Sequence, residues 1–309
     1  MRFIKPDVEI LEQEPTLEGA LKMAEYAGRV CYQSNDIEHK TTTQEFIDML
    51  IKAGHGEPIE HATLYLKWNL VDDDYAHNRY DNYRHNKYSV LKTFEDDPNA
   101  YVTTNYRVLL ENNWLDDLKY ICKPVKGKHE PRITVKFTTQ NVIAKEANRH
   151  DSNSKSELST RYCNFSKDRF GNEINISIPN DEDVNEESIA LYENKIEVYP
   201  EILHRAFNEF VGRGDVMCYM EAIDYWYAAN AFCEFCYMKL IKNFKWTAQR
   251  ARRILPLDVN TEVIHTAFLS DWKHFIDLRS KGTTGAPHPD MKPLADKLQV
   301  LLKEKGFVD

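Results

Sequence analysis

The chain has 309 residues, 42% of them apolar and 12% aromatic, so it is long enough to bury a substantial core in one domain or two. Its formal net charge of −9 argues against a general surface for nucleic acids or membranes, which would need an excess of positive charge. No segment has the pattern of a signal peptide or a membrane span, and the six cysteines are scattered. We therefore expect a cytosolic protein with reduced thiols.

The N-terminal part predicts two helices and a strand. The first helix spans Thr16–Ser34 with a threonine cap, and the second spans residues 42–55 with Gly54 as its stop signal. In residues 62–70, leucine and tryptophan occupy every second position, which is typical of a half-buried strand.

Residues 71 to about 131 are irregular and rich in Tyr, Asn and Asp. Helical fragments are predicted at residues 102–113 and 114–122. The segment is long for a connection, so it is either an insertion with its own structure or a lid.

The second half begins with a strand at residues 132–139 and continues into a helix at residues 140–150. Two long helices are predicted at residues 187–212 and 216–244. A shorter helix at residues 247–255 is ended by a proline.

The last predicted helix spans residues 261–279. Apolar side chains recur there at a spacing of three to four, and the same spacing ends on Arg279. A guanidinium at the end of a buried stripe needs an anionic or carbonyl partner. Together these elements predict an α+β fold, in which a small, mostly antiparallel sheet is covered by long helices. We expect a single domain over residues 1–309, with a Tyr-rich insertion at about 71–131.

Three segments concentrate polar groups, and the first is "GHGEPIEH" (Gly54–His61). Its histidines and glutamates are possible metal ligands, but the proline and the strand that follows would point them in different directions. A turn with solvated acids and a cofactor-contacting loop are the two main interpretations, and we predict no metal site. Cys233 and Cys236 form a CxxC without a second ligand pair, which favours helix packing over zinc.

The second segment is "RHDSNSKSELSTRYC" (Arg149–Cys163). Its arginines, hydroxyls and backbone amides are donors suited to a phosphate, and Glu157 could orient an arginine or accept a hydrogen bond from a ribose hydroxyl. Ser159 would be a nucleophile only if a base such as His150 reached it. The third segment is "AQRARRILP", where one of Arg250, Arg252 and Arg253 is expected to point inward. No P-loop, GxGxxG or GxSxG motif is present.

These segments resemble the flavin-dependent thymidylate synthases. "RHDSNSKSELSTRY" is similar to that family's RHR-x7-S signature, and "GHGEPIEH" is similar to its GH-x-x-P-x-EH segment. "RVCYQS", "ARRILP", "TAFLSDWKHFIDLR" and "HPDMKPLA" resemble further family elements in the same order, the last being the closing helix. The segment before Arg149, together with "RYCNFSKDRFGNE", resembles a larger bacterial and phage-type branch.

The resemblance implies a homotetramer with shared active sites, which transfers a one-carbon unit from methylenetetrahydrofolate to carbon 5 of dUMP. Bound FAD, reduced by NADPH, would supply the hydride. Nucleic acid and membrane partners are not implied. Arg279 would be catalytic by stabilising charge on the uracil ring. The residues implied for dUMP are Glu146, Arg149, Glu157, Leu158, Ser159, Thr160, Arg161, Arg252 and Arg279, and those for FAD are His55, Glu57, Glu60, Arg149, His150, Asp151, Glu157 and His274.

One position departs from the signature. Asp151 stands where the family usually has arginine, which should weaken a flavin contact unless a cation such as Lys155 compensates. Two alternatives therefore stay open: a related flavin-dependent enzyme that methylates or hydroxymethylates dUMP or dCMP, and a non-catalytic nucleotide-binding protein.

Overall fold

The computed structural model describes residues 1–34, 41–71, 76–193, 199–213 and 220–308. Its helices are α1 (Leu17–Val30), α2 (Thr43–Ala53), α3 (Ala76–Arg84), α4 (Tyr106–Glu111), α5 (Asn141–Ala147), α6 (Glu186–Glu193), α7 (Tyr199–Phe210), α8 (Ala222–Lys242), α9 (Ala248–Ala251), α10 (Leu269–Arg279) and α11 (Met291–Glu304). Its strands are β1 (Arg2–Ile4), β2 (Asp7–Leu11), β3 (Thr63–Asn69), β4 (Val90–Phe94), β5 (Asp97–Asn105), β6 (Arg132–Gln140), β7 (Ser154–Glu157), β8 (Asn175–Ser177) and β9 (Asn260–Phe268).

The strands form two antiparallel sheets and one parallel pair. The larger sheet has the order β2-β6-β9-β7, the second has the order β3-β5-β4, and β1 pairs with β8. Helices cover both faces of the larger sheet: α5, α10 and α11 share a core with one face, and α1 packs on the other. The predicted mixture of helices with mostly antiparallel strands is confirmed.

Local capping signals place the first two helices where the sequence predicted them. The Thr16 hydroxyl accepts a hydrogen bond from the Gly19 amide, and Thr42 and Glu45 form a capping box. Gly54 ends α2 in the left-handed conformation, with φ of 70°. The predicted strands in residues 62–70 and 132–139 correspond to β3 and β6.

The predicted helix over residues 261–279 is wrong in its first half. Residues 260–268 form β9, a central strand between β6 and β7 that is buried on both faces. Burial on both faces removes the polar alternation that marks a strand, so its apolar residues imitated a helical stripe. The helical spacing begins with α10, in which Trp272, Phe275 and Ile276 are buried.

The segment from residue 76 to residue 131 contributes strands of its own. β4 and β5 pair within the sheet that β3 begins, so the helix predicted over residues 102–113 is a strand up to Asn105 and a helix only afterwards. The second predicted fragment is a 3₁₀ turn at Leu115–Tyr120. Asp117 anchors this turn to α3 through Arg79, at 2.7 Å, and through the Tyr83 hydroxyl.

The later helices agree in part with their predicted ranges. α6 and α7 lie within the range 187–212 apart from Glu186, and residues 194–198 lie outside the described residues. Residues 214–219 also lie outside the described residues. The helix predicted over residues 216–244 corresponds to α8, which begins at Ala222. Cys233 and Cys236 are partly buried on α8, and Cys218 lies outside the described residues. No helix in the described ranges is both long and apolar enough to cross a bilayer.

Candidate active site

The turn after α5 and the edge strand β7 display the polar segment that begins at Arg149. Side chains alternate along β7, so Ser154 and Ser156 are buried on one face while Lys155 and Glu157 lie on the other. Ser154 accepts a hydrogen bond from Arg132, and Ser156 bonds to His61. Two of the hydroxyls that the sequence suggested as phosphate ligands are therefore buried and bonded to other side chains of the protein.

Arg279, at the last position of α10, has both an anionic partner and a carbonyl partner, the two kinds that its place on the apolar stripe predicted. Its Nη1 donates to the Glu146 carboxylate at 2.8 Å, and its Nη2 donates to the Glu146 main-chain oxygen at 2.9 Å. Its Nε lies 3.4 Å from Nε2 of His150. The side chain is 15% exposed, so the guanidinium is fixed in direction and still reachable from outside.

His150 is buried between Arg279 and two rings of α10. Its ring centroid lies 4.8 Å from that of Phe275 and 5.9 Å from that of His274, which is exposed. Burial, together with the nearby Arg279, lowers the pKa of His150 to about 4. The ring is therefore neutral near pH 7, and its Nε2 can accept from Arg279.

Arg149 and Asp151 point to the outside on either side of His150. The Arg149 side chain is 71% exposed, and its closest carboxylate is Glu146, at 3.6 Å. Asp151 is fully exposed, and Lys155 Nζ lies 3.6 Å from it. Lys155 also donates to the main-chain oxygen of Asn148 at 2.7 Å, so this lysine already has partners within the chain.

Glu157, at the end of β7, accepts hydrogen bonds from amides, a lysine and a hydroxyl. Asn148 Nδ2 lies 2.9 Å from Oε2, and Lys145 Nζ lies 3.1 Å from Oε1. Asn141 and Thr261 approach Oε1 at 3.3 and 3.5 Å. The carboxylate therefore orients no arginine within the described chain, and its side chain is 21% exposed.

Residues 158–163 form a turn that is held by main-chain bonds. Leu158 is buried and donates to the Glu262 oxygen, and the Ser159 amide donates to the Cys31 oxygen at 2.9 Å. Ser159 is thus fixed near the end of α1. His150 is engaged with Arg279 instead, which gives no support to a serine nucleophile.

Thr160, Arg161 and Arg252 form a second polar surface. Arg252 Nη1 lies 3.4 Å from the Thr160 hydroxyl, and Arg161 is exposed beside the ring of Tyr162. Neither arginine has a carboxylate within 4 Å among the described residues. Both are therefore exposed cations without an ion-pair partner there, on a chain whose net charge is negative.

The expectation that one of three arginines in residues 250–253 points inward is wrong for the single chain, because all three are exposed. The reason is that α9 is a single turn and its buried positions are taken by Ala248 and Ala251. Arg252 is therefore an outward residue that approaches Thr160.

The "GHGEPIEH" segment splits between surface and core. His55 and Glu57 are exposed, and Glu60 binds Arg107 at 2.6 Å. His61 is fully buried, where it bonds to Thr266 at 2.7 Å and to Ser156 at 3.1 Å. Burial holds the pKa of His61 well below its usual value. Within the described ranges, no cluster of three His, Cys, Asp or Glu side chains has the arrangement of a metal site.

Two residues that support this surface were not predicted from the sequence. Buried Arg132 donates to the Glu60 oxygen, to Thr63 and to Ser154, and so joins the 54–61 loop to β3 and β7. Buried His265 bonds to Asn148 and Asn153, on either side of Arg149–Asp151. The β-branched residues around His265 were a signal for a strand that the helical interpretation overlooked.

The structure therefore brings Glu146, Arg149, His150, His274 and Arg279 together at one place. Thr160 and Arg252 meet at another, next to Ser159 and Arg161. His55, Glu57 and Glu60 lie on the loop that packs against β7 through His61.

Comparison with known proteins identifies the family. No curated protein matches the chain. Two solved structures of a UMP/dUMP methylase PolB from Streptomyces cacaoi, bound with 5-Br dUMP and with 5-Br UMP, superpose with a TM-score of 0.41 at 13% identity. They cover 98% of this chain, which in turn covers 93% and 92% of theirs.

The model of the family described as thymidylate synthase complementing protein matches residues 13–93 and 119–305. These ranges contain every site residue named above except Arg107. The chain belongs to the thymidylate synthase complementing protein family, the ThyX family of flavin-dependent thymidylate synthases.

Proposed function

We propose that this protein is a flavin-dependent thymidylate synthase that transfers a one-carbon unit from methylenetetrahydrofolate to carbon 5 of dUMP. The observation that carries the proposal is the attachment of Arg279 to two oxygens of Glu146, beside the neutral ring of His150. Family membership supports the substrate, the FAD cofactor and NADPH as reductant.

The residues near His150 have the chemistry that an FAD site needs. Arg149 is an exposed cation suited to a phosphate, with the Glu146 carboxylate 3.6 Å away, and the exposed His274 lies beside the His150 ring. His55 and Glu57 are exposed on the loop that packs on β7. Against this, Asp151 adds a negative charge. When bound, reduced FAD would supply the hydride.

The second surface suits the phosphate and sugar of dUMP. Arg161 and Arg252 are guanidinium groups without carboxylate partners in the described chain, and Thr160 and Ser159 add hydroxyls. Glu157, close by in sequence, retains an exposed edge for a sugar hydroxyl. These residues would bind and orient the nucleotide.

Arg279 would act on the uracil ring. Carbon 5 becomes nucleophilic when negative charge develops at the N3–O4 edge, and a fixed guanidinium stabilises that charge. Arginine stays protonated, so it cannot serve as a base. Glu146 would keep the guanidinium aimed, so that little reorganisation accompanies the reaction. Ser159 is assigned to binding, and the chemistry needs no enzyme nucleophile.

We further propose that the active site is completed by a neighbouring copy in a homotetramer. The two arginines of the second surface are exposed in one chain, although anion binding is stronger in a site that excludes water. A second copy that covers Arg161 and Arg252 would supply that exclusion. The mass of the purified protein in solution tests this part of the proposal.

The activity is tested by incubating the purified protein with dUMP, methylenetetrahydrofolate and NADPH. The expected product, identified by mass spectrometry, is dTMP, and its formation should depend on FAD. A control without folate should give none. Protein that takes up no FAD and forms no product would refute the proposal.

Asp151 favours a second candidate function. Its full exposure, in place of the usual signature arginine, changes the charge at the proposed flavin side of the site. The same scaffold could then hydroxymethylate or methylate dUMP or dCMP. The same incubation with each nucleotide, followed by mass analysis, separates the two functions.

A further inference from the structure

A chain of hydrogen bonds crosses the protein beneath the signature segment. Asn153 Nδ2 lies 3.2 Å from His265 Nδ1, and His265 Nε2 lies 2.9 Å from Asn148 Oδ1. Asn148 Nδ2 in turn lies 2.9 Å from Glu157 Oε2. This series of hydrogen bonds therefore links Asn148 and Asn153, on either side of Arg149–Asp151, to the carboxylate of Glu157 at the end of β7.

The carboxylate of Glu157, at the end of this series, determines which atom donates and which accepts in each hydrogen bond. A carboxylate only accepts, so the amide nitrogen of Asn148 must face Glu157 and its oxygen must face His265. His265 then donates from Nε2, and its Nδ1 accepts from Asn153. Only the neutral ring with hydrogen on Nε2 satisfies both neighbours.

The surroundings of His265 keep it in that form. The ring is fully buried on β9, with the ring of Phe137 at 6.0 Å and that of Trp272 at 6.5 Å between centroids. Burial, with Lys155 and His150 nearby, lowers its pKa to about 3. Lys155, directly opposite His265 in the sheet, donates to the Asn148 oxygen at 2.7 Å. Two residues that face each other in the sheet therefore hold Asn148: His265 bonds to its side chain, and Lys155 bonds to its main chain.

Oε2 of Glu157 has fewer donors than Oε1 among the described residues. Oε1 is approached by Asn141, Lys145 and Thr261, whereas Oε2 accepts from Asn148 at 2.9 Å and from the exposed Lys145 at 3.4 Å. Asn148 makes the shorter contact with Oε2, and Asn148 is itself held by His265.

We propose that His265 is a positioning residue that, through Asn148, aims Oε2 of Glu157 at a hydroxyl of the nucleotide sugar. This inference rests on the proposed function for the ligand, and on the hydrogen bonds above for the role. It assigns a function to a fully buried residue of β9.

Two substitutions separate positioning from packing. His265→Gln offers an acceptor for Asn153 and a donor for Asn148, so it can preserve the chain of bonds. His265→Leu fills a similar volume with an apolar side chain and removes both bonds. Both variants are compared with the wild type as purified, FAD-loaded protein.

The first measurement is dUMP binding by calorimetry, together with KM and kcat for dUMP. In His265→Leu the dissociation constant and KM should rise roughly tenfold, as for one hydrogen bond to a charged group, with little change in kcat. His265→Gln should stay within about twofold of the wild type. Equal binding by Leu and wild type, or equal loss in Gln and Leu, would overturn the inference.

The second measurement does not depend on the proposed function. In crystal structures of the two variants, His265→Gln should keep Asn148 Nδ2 within hydrogen-bond distance of Glu157 Oε2, and His265→Leu should not. An unmoved Asn148 in His265→Leu would overturn the inference. A wild-type protein that binds no dUMP would instead refute the proposed function, and the crystal structures would still decide the role of His265.

Discussion

Glu146 holds Arg279 through two different oxygens, one from its carboxylate and one from its main chain. The residues are far apart in sequence, and the contact joins the last turn of α5 to the last turn of α10. The main-chain bond does not depend on the identity of residue 146, whereas the carboxylate bond does. The role of Arg279 can therefore be tested by substituting either Arg279 or Glu146.

Replacing Arg279 by alanine should remove turnover without unfolding the protein. We expect kcat to fall by about 10²–10³-fold, as when one fixed donor to a developing oxyanion is lost. Steady-state kinetics and a thermal melt measure the two effects. Glu146→Gln serves as the control, because it keeps a hydrogen-bond acceptor and the main-chain oxygen and should lose much less. Near-normal turnover in Arg279→Ala would contradict the assigned role.

Replacing Arg161 by alanine should weaken nucleotide binding more than it slows chemistry. The loss should be about 1.5–3 kcal/mol of binding free energy, the range for a hydrogen bond to a charged group. Calorimetric titration with dUMP measures it. Lys22→Ala is a matched control, because Lys22 is an exposed cation paired with Glu18 on α1. If both variants bind dUMP equally well, Arg161 is not a phosphate ligand.

The stability of the protein should fall as the pH is lowered below the ordinary histidine pKa of 6.5. The folded protein holds the pKa of His265 at about 3, so between these values the unfolded state binds a proton that the folded state does not. Stability is therefore lost as the pH falls through this range. His265→Gln should reduce that loss by about 2 kcal/mol between neutral pH and pH 5. Urea unfolding of both proteins measures the difference, and parallel pH profiles would show that His265 is not buried and neutral.

Replacing Asp151 by arginine should strengthen FAD retention. The change substitutes a cation for an exposed anion next to Arg149, at the proposed flavin side. The ratio of flavin to protein absorbance after gel filtration measures retention. Asp151→Asn, which removes the negative charge alone, should give an intermediate value. A changed nucleotide product in Asp151→Arg, without tighter FAD binding, would favour the second candidate function instead.

Replacing Asp117 by alanine should destabilise the region of residues 76–131. Asp117 is buried with Arg79 and Tyr83, and its loss leaves the Arg79 charge without this partner. Removal of one member of a buried pair costs about 3–5 kcal/mol. Chemical unfolding measures the change. Asp116→Ala, at the neighbouring position in the same turn, is the control and should have a small effect.

The sequence predicted the elements and contacts whose causes are local. The caps at Thr16 and Thr42 and the left-handed Gly54 act within a few residues, and those helices were predicted at their positions. The need of Arg279 for a partner also followed from its place on an apolar stripe. The identity of that partner, Glu146, depends on the packing of α10 beside α5, which spacing alone does not reveal.

The parts that failed depend on neighbours in space. β9 has no alternating pattern because β6 and β7 flank it and both of its faces are covered, so its strand character was hidden. The same error hid the role of His265. A helix over these residues does not predict a contact between His265 and Asn148, whereas the pairing of β9 with β7 brings His265 beside the turn that contains Asn148. One of Arg250, Arg252 and Arg253 was expected to point inward, but two buried alanines occupy the inner side of α9.

The central claim is that separate polar clusters meet around one pyrimidine nucleotide. A crystal structure of the FAD-loaded protein with dUMP tests it most directly. We predict that Arg279 lies at the N3–O4 edge of the uracil, with Arg161 and Arg252 within hydrogen-bond distance of the phosphate, counted over all copies in the assembly. A nucleotide bound elsewhere, or these three arginines far apart in every combination of copies, would contradict the account.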